Sequence, residues 1–250
     1  ARVAKLLQAR ILYLVGGGIG RTLDELEVDL SYFKHKHNQM AGVLFNKVLP
    51  DKIESMRDVI NEKSLARIFP EWDPALNIFG YMPTVKYLNN PSMQLIQKSF
   101  KDHRTIKGPC GSAWHKACRK IKVVSQGSNV FAPEGHLKSR DIAVISAGSH
   151  TRLKRIIKFN DSLAADEKIG GIILTCATDK MPDTQAIEWL SKSGIPSIAV
   201  KQDTADADKT LYKCFNDTKL QLYDKMKHRQ IVDLFAEHFD AERFIRAYKL

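Results

Sequence analysis

The sequence predicts an α/β protein with two parallel-sheet domains, and three observations lead to this prediction. Short apolar runs alternate with segments of helical spacing, which is typical of strands joined by right-handed helical crossovers. The length of 250 residues is sufficient for two ordinary domains. The alternation is interrupted between residues 106 and 135 by glycine, proline and basic residues. We therefore expect a first domain over 1–105, a basic linker over 106–135 and a second domain over 136–250.

In the first half, three short apolar runs are typical of buried parallel strands. These runs cover residues 10–15, 40–47 and 75–81. The helix after the first run is expected to start at Thr22, because Thr22 and Glu25 have the spacing of a capping box. Further helices are predicted from Asp51 to about Ile60, from Ser64 to Phe69 and from Pro91 to about His103.

The second half repeats this architecture without a recognisable sequence repeat. The predicted strands cover residues 141–146, 171–175 and 195–200, and a short strand-like run lies at 121–124 within the linker. Helices are expected at 151–159, at 183–191, from residue 204 onward, at 217–233 and at 241–248. The apolar positions of the last two helices suit either an interface or packing on the rest of the chain.

A glycine-rich stretch lies between the first strand and its helix. Residues 15–22, with the sequence VGGGIGRT, place backbone N–H groups at the start of a helix, where the helix dipole favours an anion. The spacing is neither that of a phosphate loop nor that of a dinucleotide-binding loop. Gly17, Gly18 and Gly20 are candidates for ligand binding, and a turn that lets the helix pack closely on its strand is an equally weighted interpretation.

Polar and small residues follow the strands in both halves. The carboxyl ends of parallel strands share one edge of the sheet, where ligands of α/β proteins bind. In the first half, this edge would bring the glycine stretch together with Asn46 and Pro83. In the second half, it would collect polar side chains that could hold a small anionic ligand, and ordinary capped loops are the alternative. These side chains are His150, Thr175, Lys201, Asp203 and Thr204, of which His150 and Lys201 would donate hydrogen bonds.

The charge distribution and hydropathy limit the classes of function. The formal net charge of +11 is spread along the chain, with an excess of four basic residues in 1–105, four in 106–135 and three in 136–250. The basic segment 107–122 carries no recognised nucleic-acid motif, which makes nucleic-acid binding unfavoured. No apolar stretch is long enough to cross a bilayer and no signal peptide begins the chain, so we expect a cytoplasmic protein without membrane contact.

Four irregularly spaced cysteines favour a reducing compartment. Cys110, His115 and Cys118 lie close together in sequence, but a zinc site usually needs a second ligand pair. We therefore expect reduced thiols and no metal site.

Two groups of motifs resemble known families. Residues 17–26 (GGIGRTLDEL) and 41–48 (AGVLFNKV) resemble the dethiobiotin-synthetase-like domain of the phosphate-loop nucleotide hydrolases. Residues 141–244 resemble the DRTGG domain, which follows that domain in the N-terminal region of bacterial phosphotransacetylases. The matching pieces of the second group are 141–146, 169–175, 194–200, 203–204 and 232–244.

The resemblance implies an incomplete nucleotide-hydrolase-like first domain, because the family's phosphate loop and magnesium-binding acidic residue would lie upstream of Ala1. It implies a contact of Asn46 and Pro83 with a nucleotide base, and loop capping is the alternative role for Asn46. In the DRTGG-like second domain, Gly148-Ser149-His150 stands where the family has Gly-Asp-Arg, and Thr175-Cys176-Ala177 where it has Thr-Gly-Gly. The resemblance also implies a homo-oligomer that pairs through this domain.

These observations favour a nucleotide-linked regulatory or oligomerisation module without catalytic residues of its own. ATP and Mg²⁺ are expected as ligands of a longer parent protein, and neither is assured for this chain. The alternative is part of an ATP-dependent ligase or ATPase whose phosphate loop lies upstream of residue 1. Nucleic-acid binding through residues 107–122 is the weaker alternative.

Overall fold

The computed structural model describes residues 1–70, 76–106, 111–124, 132–217, 220–221 and 224–248. The chain forms two compact units. Unit 1 comprises Ala1–Val85 and Arg229–Leu250, and unit 2 comprises Lys86–His228. Within the described residues, no helix has the length and apolar character that a membrane span requires.

Unit 1 contains a three-stranded parallel sheet. The elements from its first segment are α1 (Arg2–Leu6), β1 (Ile11–Gly16), α2 (Ile19–His35), β2 (Met40–Val48), α3 (Ile53–Val59), α4 (Glu62–Ile68) and β3 (Asn77–Pro83), with a 3₁₀ turn at Pro50–Lys52. The strand order is β1-β2-β3. The buried face of α2, with Leu26 and Leu30, packs on one face of this sheet together with α3 and α4.

Unit 2 contains a five-stranded sheet with helices on both faces. Its elements are α5 (Met93–Ser99), β4 (His103–Ile106), β5 (Ile121–Val123), α6 (Pro133–His136), β6 (Ile142–Ser146), α7 (His150–Ser162), β7 (Gly171–Thr175), α8 (Thr184–Ser193), β8 (Ser197–Val200) and α9 (Thr204–Asn216), with a 3₁₀ turn at Ser112–His115. The strand order is β4-β8-β7-β6-β5, and only β4 runs antiparallel to its neighbour. The predicted α/β fold with two parallel sheets is therefore confirmed.

The last two helices, α10 (Lys225–His238) and α11 (Ala241–Tyr248), bring the chain back to the sheet of unit 1. The Phe79 ring of β3 lies 6.2 Å from the Phe239 ring and 5.4 Å from the Phe244 ring, between centroids. Arg243 also forms an ion pair with Glu62 of α4. Aromatic packing on β3 thus assigns residues 229–250 to unit 1, whereas the sequence boundaries placed them in a domain over 136–250.

Part of the predicted linker belongs to the sheet of unit 2. β5 pairs in register with β6, with Ile121 opposite Ile142 and Val123 opposite Val144. Three residues among basic and glycine positions give too short a pattern to distinguish a strand from a loop. Residues 107–110 and 125–131 of the linker lie outside the described residues.

The start of α2 differs from the prediction. Gly18 is its N-cap residue, with φ +150°, and Thr22 lies inside the helix. The Thr22 hydroxyl donates a hydrogen bond to the Gly16 carbonyl oxygen at 2.8 Å, and Glu25 pairs with Arg21 at 2.7 Å. The predicted capping box of Thr22 and Glu25 was therefore wrong, because the glycine conformation lets the helix begin earlier.

Gly80 of β3 allows the end of α10 to pass close to the strand. Its φ is +153°, a conformation that glycine adopts without steric cost, and a Cβ atom here would lie 2.0 Å from the His238 carbonyl oxygen. A β-bridge joins Gly80 to Phe239 at this point. Glycine at position 80 is thus a condition for the packing of the C-terminal helices on the sheet.

Gly80→Ala should lower the free energy of unfolding of unit 1 by roughly 1–3 kcal/mol, because the added methyl group must displace backbone atoms. Urea denaturation followed by circular dichroism measures the change. Gly20→Ala is the matched control, since a Cβ atom there meets nothing within 4 Å and alanine favours the helix. Unchanged stability of Gly80→Ala would contradict the close approach of His238.

The Tyr81 side chain joins β3 to the end of α3. Its ring stacks on Phe45 with centroids 5.2 Å apart, and its hydroxyl donates to the Ile60 carbonyl oxygen at 2.5 Å. Burial raises the pKa of the Tyr81 hydroxyl from 10.0 to about 12, although the Arg57 guanidinium opposes this shift. Between these two pH values the folded protein therefore holds a proton that the unfolded chain loses.

Tyr81 should contribute stability that is complete below about pH 10 and is lost as the pH rises towards 12, because the folded-state pKa exceeds the unfolded value. The urea midpoint should therefore fall less between about pH 9 and about pH 11 in Tyr81→Phe than in the unsubstituted protein. Tyr212→Phe is the control, since this ring is 68% exposed on α9. The same fall in Tyr81→Phe as in the control would refute the role of Tyr81.

Candidate functional site

The carboxyl ends of the three strands of unit 1 lie side by side. Gly16 and Asn46 are register partners in β1 and β2, and Val48 and Pro83 are partners in β2 and β3. The glycine stretch, Asn46 and Pro83 therefore occupy the same edge of the sheet, as parallel pairing requires. The contact of Asn46 and Pro83 with a nucleotide base stays a prediction.

The three candidate glycines of this edge have different surroundings. A Cβ atom on Gly17 would lie 2.5 Å from the Val48 Cα atom and 2.6 Å from the Lys47 carbonyl oxygen, so the close packing of the loop on β2 requires glycine. Gly18 has the positive φ that precedes α2. Gly20 lies within α2, with no atom near the position of its absent Cβ. Packing and backbone conformation thus account for Gly17 and Gly18, which favours the packing turn over the ligand loop.

Asn46 has an internal hydrogen bond that fits its alternative, loop-capping role. Its Oδ1 atom accepts a hydrogen bond from the Lys47 N–H at 2.9 Å. Lys47 has φ +60°, and an asparagine side chain stabilises such a left-handed turn. The Asn46 side-chain oxygen Oδ1 therefore shapes the end of β2.

In unit 2, backbone hydrogen bonds join the loops that follow β6, β7 and β8. The Ala147 N–H donates to the Thr175 carbonyl oxygen at 2.8 Å, and the Cys176 N–H donates to the Gln202 carbonyl oxygen at 2.8 Å. Cys176 adopts φ +55°, which turns the chain sharply after β7. The three loops are therefore neighbours at one edge of the sheet.

Three of the predicted ligand-binding residues make hydrogen bonds within the protein, and their contact with a ligand stays a prediction. The buried Thr175 hydroxyl donates to the Ile145 carbonyl oxygen at 3.3 Å and lies 2.9 Å from the Thr204 hydroxyl. Asp203 is the N-cap of α9, and its Oδ1 atom accepts from the Asp206 N–H at 2.8 Å. Thr175, Asp203 and Thr204 thus position the start of α9, because their oxygen atoms satisfy backbone and hydroxyl groups nearby.

His150 is the first residue of α7 and lies in the contact between α7 and α8. Its Nε2 atom is 3.5 Å from the Asp183 carboxylate, and its ring meets the Trp189 ring edge-on with centroids 5.9 Å apart. The Lys154 ammonium lies 4.2 Å from the centroid of the same indole. His150 therefore belongs to a side-chain cluster between two helices.

A cleft of about 440 Å³ opens at the carboxyl end of β8. This volume lies in the usual range of small-molecule sites, about 300–1,000 Å³. The residues that line it are Lys101, Asp102, His103, Arg104, Ala177, Thr178, Asp179, Ala199 and Lys201. Lys201 is the predicted site residue in this lining. With three lysine or arginine cations against two carboxylates, the cleft favours a ligand that carries negative charge.

The antiparallel edge strand β4 brings two basic side chains to this cleft. Its pairing with β8 places His103 opposite Val200 and Arg104 opposite Ala199. The Arg104 Nη2 atom donates to the Pro182 carbonyl oxygen at 3.3 Å, and His103 Nδ1 lies 2.8 Å from the Phe100 carbonyl oxygen. Both side chains are therefore anchored by backbone oxygen atoms.

Sequence reasoning missed the contribution of Lys101, His103 and Arg104 to the site. The helix predicted to reach His103 ends at Ser99, and β4 follows after one turn. The polar pair Lys101-Asp102, directly after the apolar Phe100, was the available signal for a break in the helix. Nothing in the sequence indicated pairing of residues 103–106 with a strand nearly one hundred residues later.

Among the described residues, no group of three or more His, Cys, Asp or Glu side chains could hold a metal ion. Burial raises the pKa of the Cys118 thiol to about 12, so this cysteine is a neutral thiol at pH 7. Cys110 lies outside the described residues. The expected absence of a metal at Cys110, His115 and Cys118 stays a prediction.

Comparisons with known proteins give a similarity to a solved structure. No family model and no curated protein matches the sequence. The chain is similar to a crystal structure of the CBS and DRTGG domains of the regulatory region of Clostridium perfringens pyrophosphatase, complexed with its activator diadenosine tetraphosphate. The match has 10% identity and a TM-score of 0.38, and covers 91% of this chain and 86% of that one. That region contains a DRTGG domain.

Thr175→Val should lower the free energy of unfolding by roughly 1–2 kcal/mol, because it keeps the side-chain shape and removes a buried hydroxyl that joins β6 to α9. Thermal and urea denaturation measure the loss. Thr184→Val, at an exposed position of α8, is the matched control. Equal stability of the two variants would contradict the positioning role of Thr175.

Proposed function

We propose that this chain is a regulatory module that binds an anionic nucleotide in the cleft at the carboxyl end of β8. The observation that carries the proposal is the convergence of Lys101, Arg104 and Lys201 on one cleft from two different strand ends. Charge-assisted hydrogen bonds from these side chains to phosphate are roughly twice as strong as neutral ones. The cleft lies where α/β sheets commonly bind ligands.

A nucleotide suits the mixed charge of this lining better than a simple anion. Its phosphates would lie near the three cations, and its ribose hydroxyls or base amino groups would donate to Asp102 and Asp179. The cavity of about 440 Å³ is large enough for more than an isolated phosphate ion.

The proposal is of binding without turnover. At the neighbouring strand ends, the Thr175 hydroxyl and the Asp203 carboxylate already have hydrogen-bond partners within the protein. A regulatory module needs only a difference in affinity between two states, which a binding cleft can supply.

Isothermal titration calorimetry of the 250-residue chain with ATP, with and without Mg²⁺, tests the proposal. Arg104→Ala and Lys201→Ala should each weaken ATP binding by roughly tenfold or more, as expected for a charge-assisted hydrogen bond worth about 1.5–3 kcal/mol. Lys192→Ala is the matched control, because Lys192 is exposed on α8 and pairs with Glu188 at 2.5 Å. ATP incubated with the protein should release no phosphate.

Three results would contradict the proposal. If ATP at millimolar concentration did not bind, a nucleotide such as ATP would be ruled out as the ligand of the cleft. Loss of binding in Asn46→Ala, with full binding in Lys201→Ala, would move the nucleotide site to unit 1. Phosphate release that disappears in Lys201→Ala would make the cleft an active site.

A further inference from the structure

A second cavity, of about 220 Å³, lies at the opposite edge of the sheet of unit 2. Its lining includes residues that come just before three parallel strands: Arg140 precedes β6, Gly170 precedes β7 and Pro196 precedes β8. This amino-end cavity is therefore separate from the cleft that contains Lys201, which lies at the carboxyl ends of the strands. Of the described residues that line the two sites, none is shared between them.

Among the described residues, the amino-end cavity is lined by three cations, Lys116, Arg140 and Lys168, and by one carboxylate, Asp166. Lys168 is engaged within the protein, because its Nζ atom donates to the Asn160 carbonyl oxygen at 2.6 Å near the end of α7. Its charge there offsets the partial negative charge of the helix terminus. Lys116 and Arg140 are therefore the cations that remain for a ligand.

Neither Lys116 nor Arg140 has a carboxylate partner. Among the described residues, their side chains form no ion pair and no hydrogen bond. Asp141, which follows Arg140 in the sequence, already pairs with Arg119 at 2.6 Å. Asp166 is exposed, so solvent and salt screen its charge. An anion in this cavity would thus meet two partly buried cations that no side chain of the described residues neutralises.

The backbone of Arg140 is held in place beside the cavity. Its φ of +63° is uncommon for a residue with a side chain. Its N–H donates to the Lys168 carbonyl oxygen at 2.9 Å, and its own carbonyl oxygen accepts from the Arg119 N–H at 2.7 Å. A Cβ atom on Gly170 would lie 2.6 Å from that oxygen, so the close approach requires glycine. The point from which the Arg140 side chain extends is therefore fixed, which lowers the entropy cost of binding.

Asn160 adds a neutral donor to the wall of the cavity. This residue is 3% exposed, and its Oδ1 atom accepts from the Ile169 N–H at 3.1 Å. Its Nδ2 group makes no hydrogen bond to another described residue. An amide nitrogen carries two N–H donors. Asn160 can therefore donate to an anion in the cavity while its oxygen atom holds the start of β7.

The size of the cavity and its apolar lining select a compact ligand. A volume of about 220 Å³ is below the usual range of small-molecule sites, about 300–1,000 Å³. Ile169, Ile195 and Pro196 contribute apolar surface to the lining. The cavity thus suits an anionic group with a short carbon part better than it suits a nucleotide.

We propose that the amino-end cavity is a second ligand site, which binds a compact phosphate monoester. Lys116 and Arg140 hold the phosphate through charge-assisted hydrogen bonds, for which the planar guanidinium is well suited. Asn160 donates a further hydrogen bond, and Ile195 and Pro196 contact the carbon part. This site is independent of the nucleotide cleft at the carboxyl end of β8.

Isothermal titration calorimetry with glycerol 3-phosphate tests the site, and inorganic phosphate is the second probe. Arg140→Asn and Lys116→Ala should each weaken binding of glycerol 3-phosphate by roughly tenfold or more, because each removes a charge-assisted hydrogen bond. Asparagine is the replacement at position 140 because it tolerates a positive φ. Lys209→Ala is the matched control, since Lys209 is exposed on α9 and pairs with Asp206 at 2.9 Å.

The same titrations separate the two sites. Lys201→Ala should leave binding of glycerol 3-phosphate unchanged, and Arg140→Asn should leave binding of ATP unchanged. Lys116 follows the 3₁₀ turn Ser112–His115, so Lys116→Ala remains a test if circular dichroism shows that Arg140→Asn is unfolded.

Three results would overturn the proposal. The first is no binding of glycerol 3-phosphate at about 10 mM. The second is binding that is lost in Lys201→Ala and kept in Lys116→Ala, which would assign the ester to the other cleft. The third is equal affinity for inorganic phosphate and for glycerol 3-phosphate, which would exclude a contribution of the carbon part.

Discussion

The parallel pairing of β6, β7 and β8 is the interaction on which the candidate site depends. Ser146 is the register partner of Thr175, and Leu174 is the register partner of Ala199. Alternate residues of these strands are buried against helices on opposite faces of the sheet. If one strand shifted by one residue relative to its neighbour, every side chain on it would face the opposite hydrophobic core. Register is therefore strongly specified, and the three following loops must meet at one edge. The position of Lys201 beside the loop after β7 is a consequence of this pairing.

The sequence predicts β6, β7 and β8 well, because a strand that is buried on both faces appears in the sequence as a continuous apolar run. The runs at 141–146, 171–175 and 195–200 correspond to β6, β7 and β8 within one or two residues. The edge strands β4 and β5 are harder to predict from the sequence, because they are short and only partly buried. In β4, one of four residues, Ile106, is buried, and the remaining three are polar. Such a segment becomes a strand only because β8 offers it a hydrogen-bonding partner.

The same limit applies to the residues of the site. A polar residue after a strand predicts a place at the sheet edge, and Lys201 lies at that edge in the lining of the cleft. It does not show whether the oxygen or nitrogen atom faces a ligand or another part of the protein. The partners of the Thr175 hydroxyl lie 30 and 29 residues away, at Ile145 and Thr204. These hydrogen bonds between distant residues place the Thr175 hydroxyl against the start of α9. The pairing of β4 with β8, which is equally distant in sequence, places Arg104 in the lining of the cleft.

The two sheets differ in how their faces and edges are covered, and this difference has a physical consequence. The sheet of unit 2 has helices on both faces and an antiparallel strand, β4, that ends one edge. In unit 1, Phe239 and Phe244 cover Phe79 on β3, while Leu14 on β1 stays exposed. The uncharged β1 therefore has the composition of a strand that pairs on both edges, whereas the polar β4 has that of an edge strand.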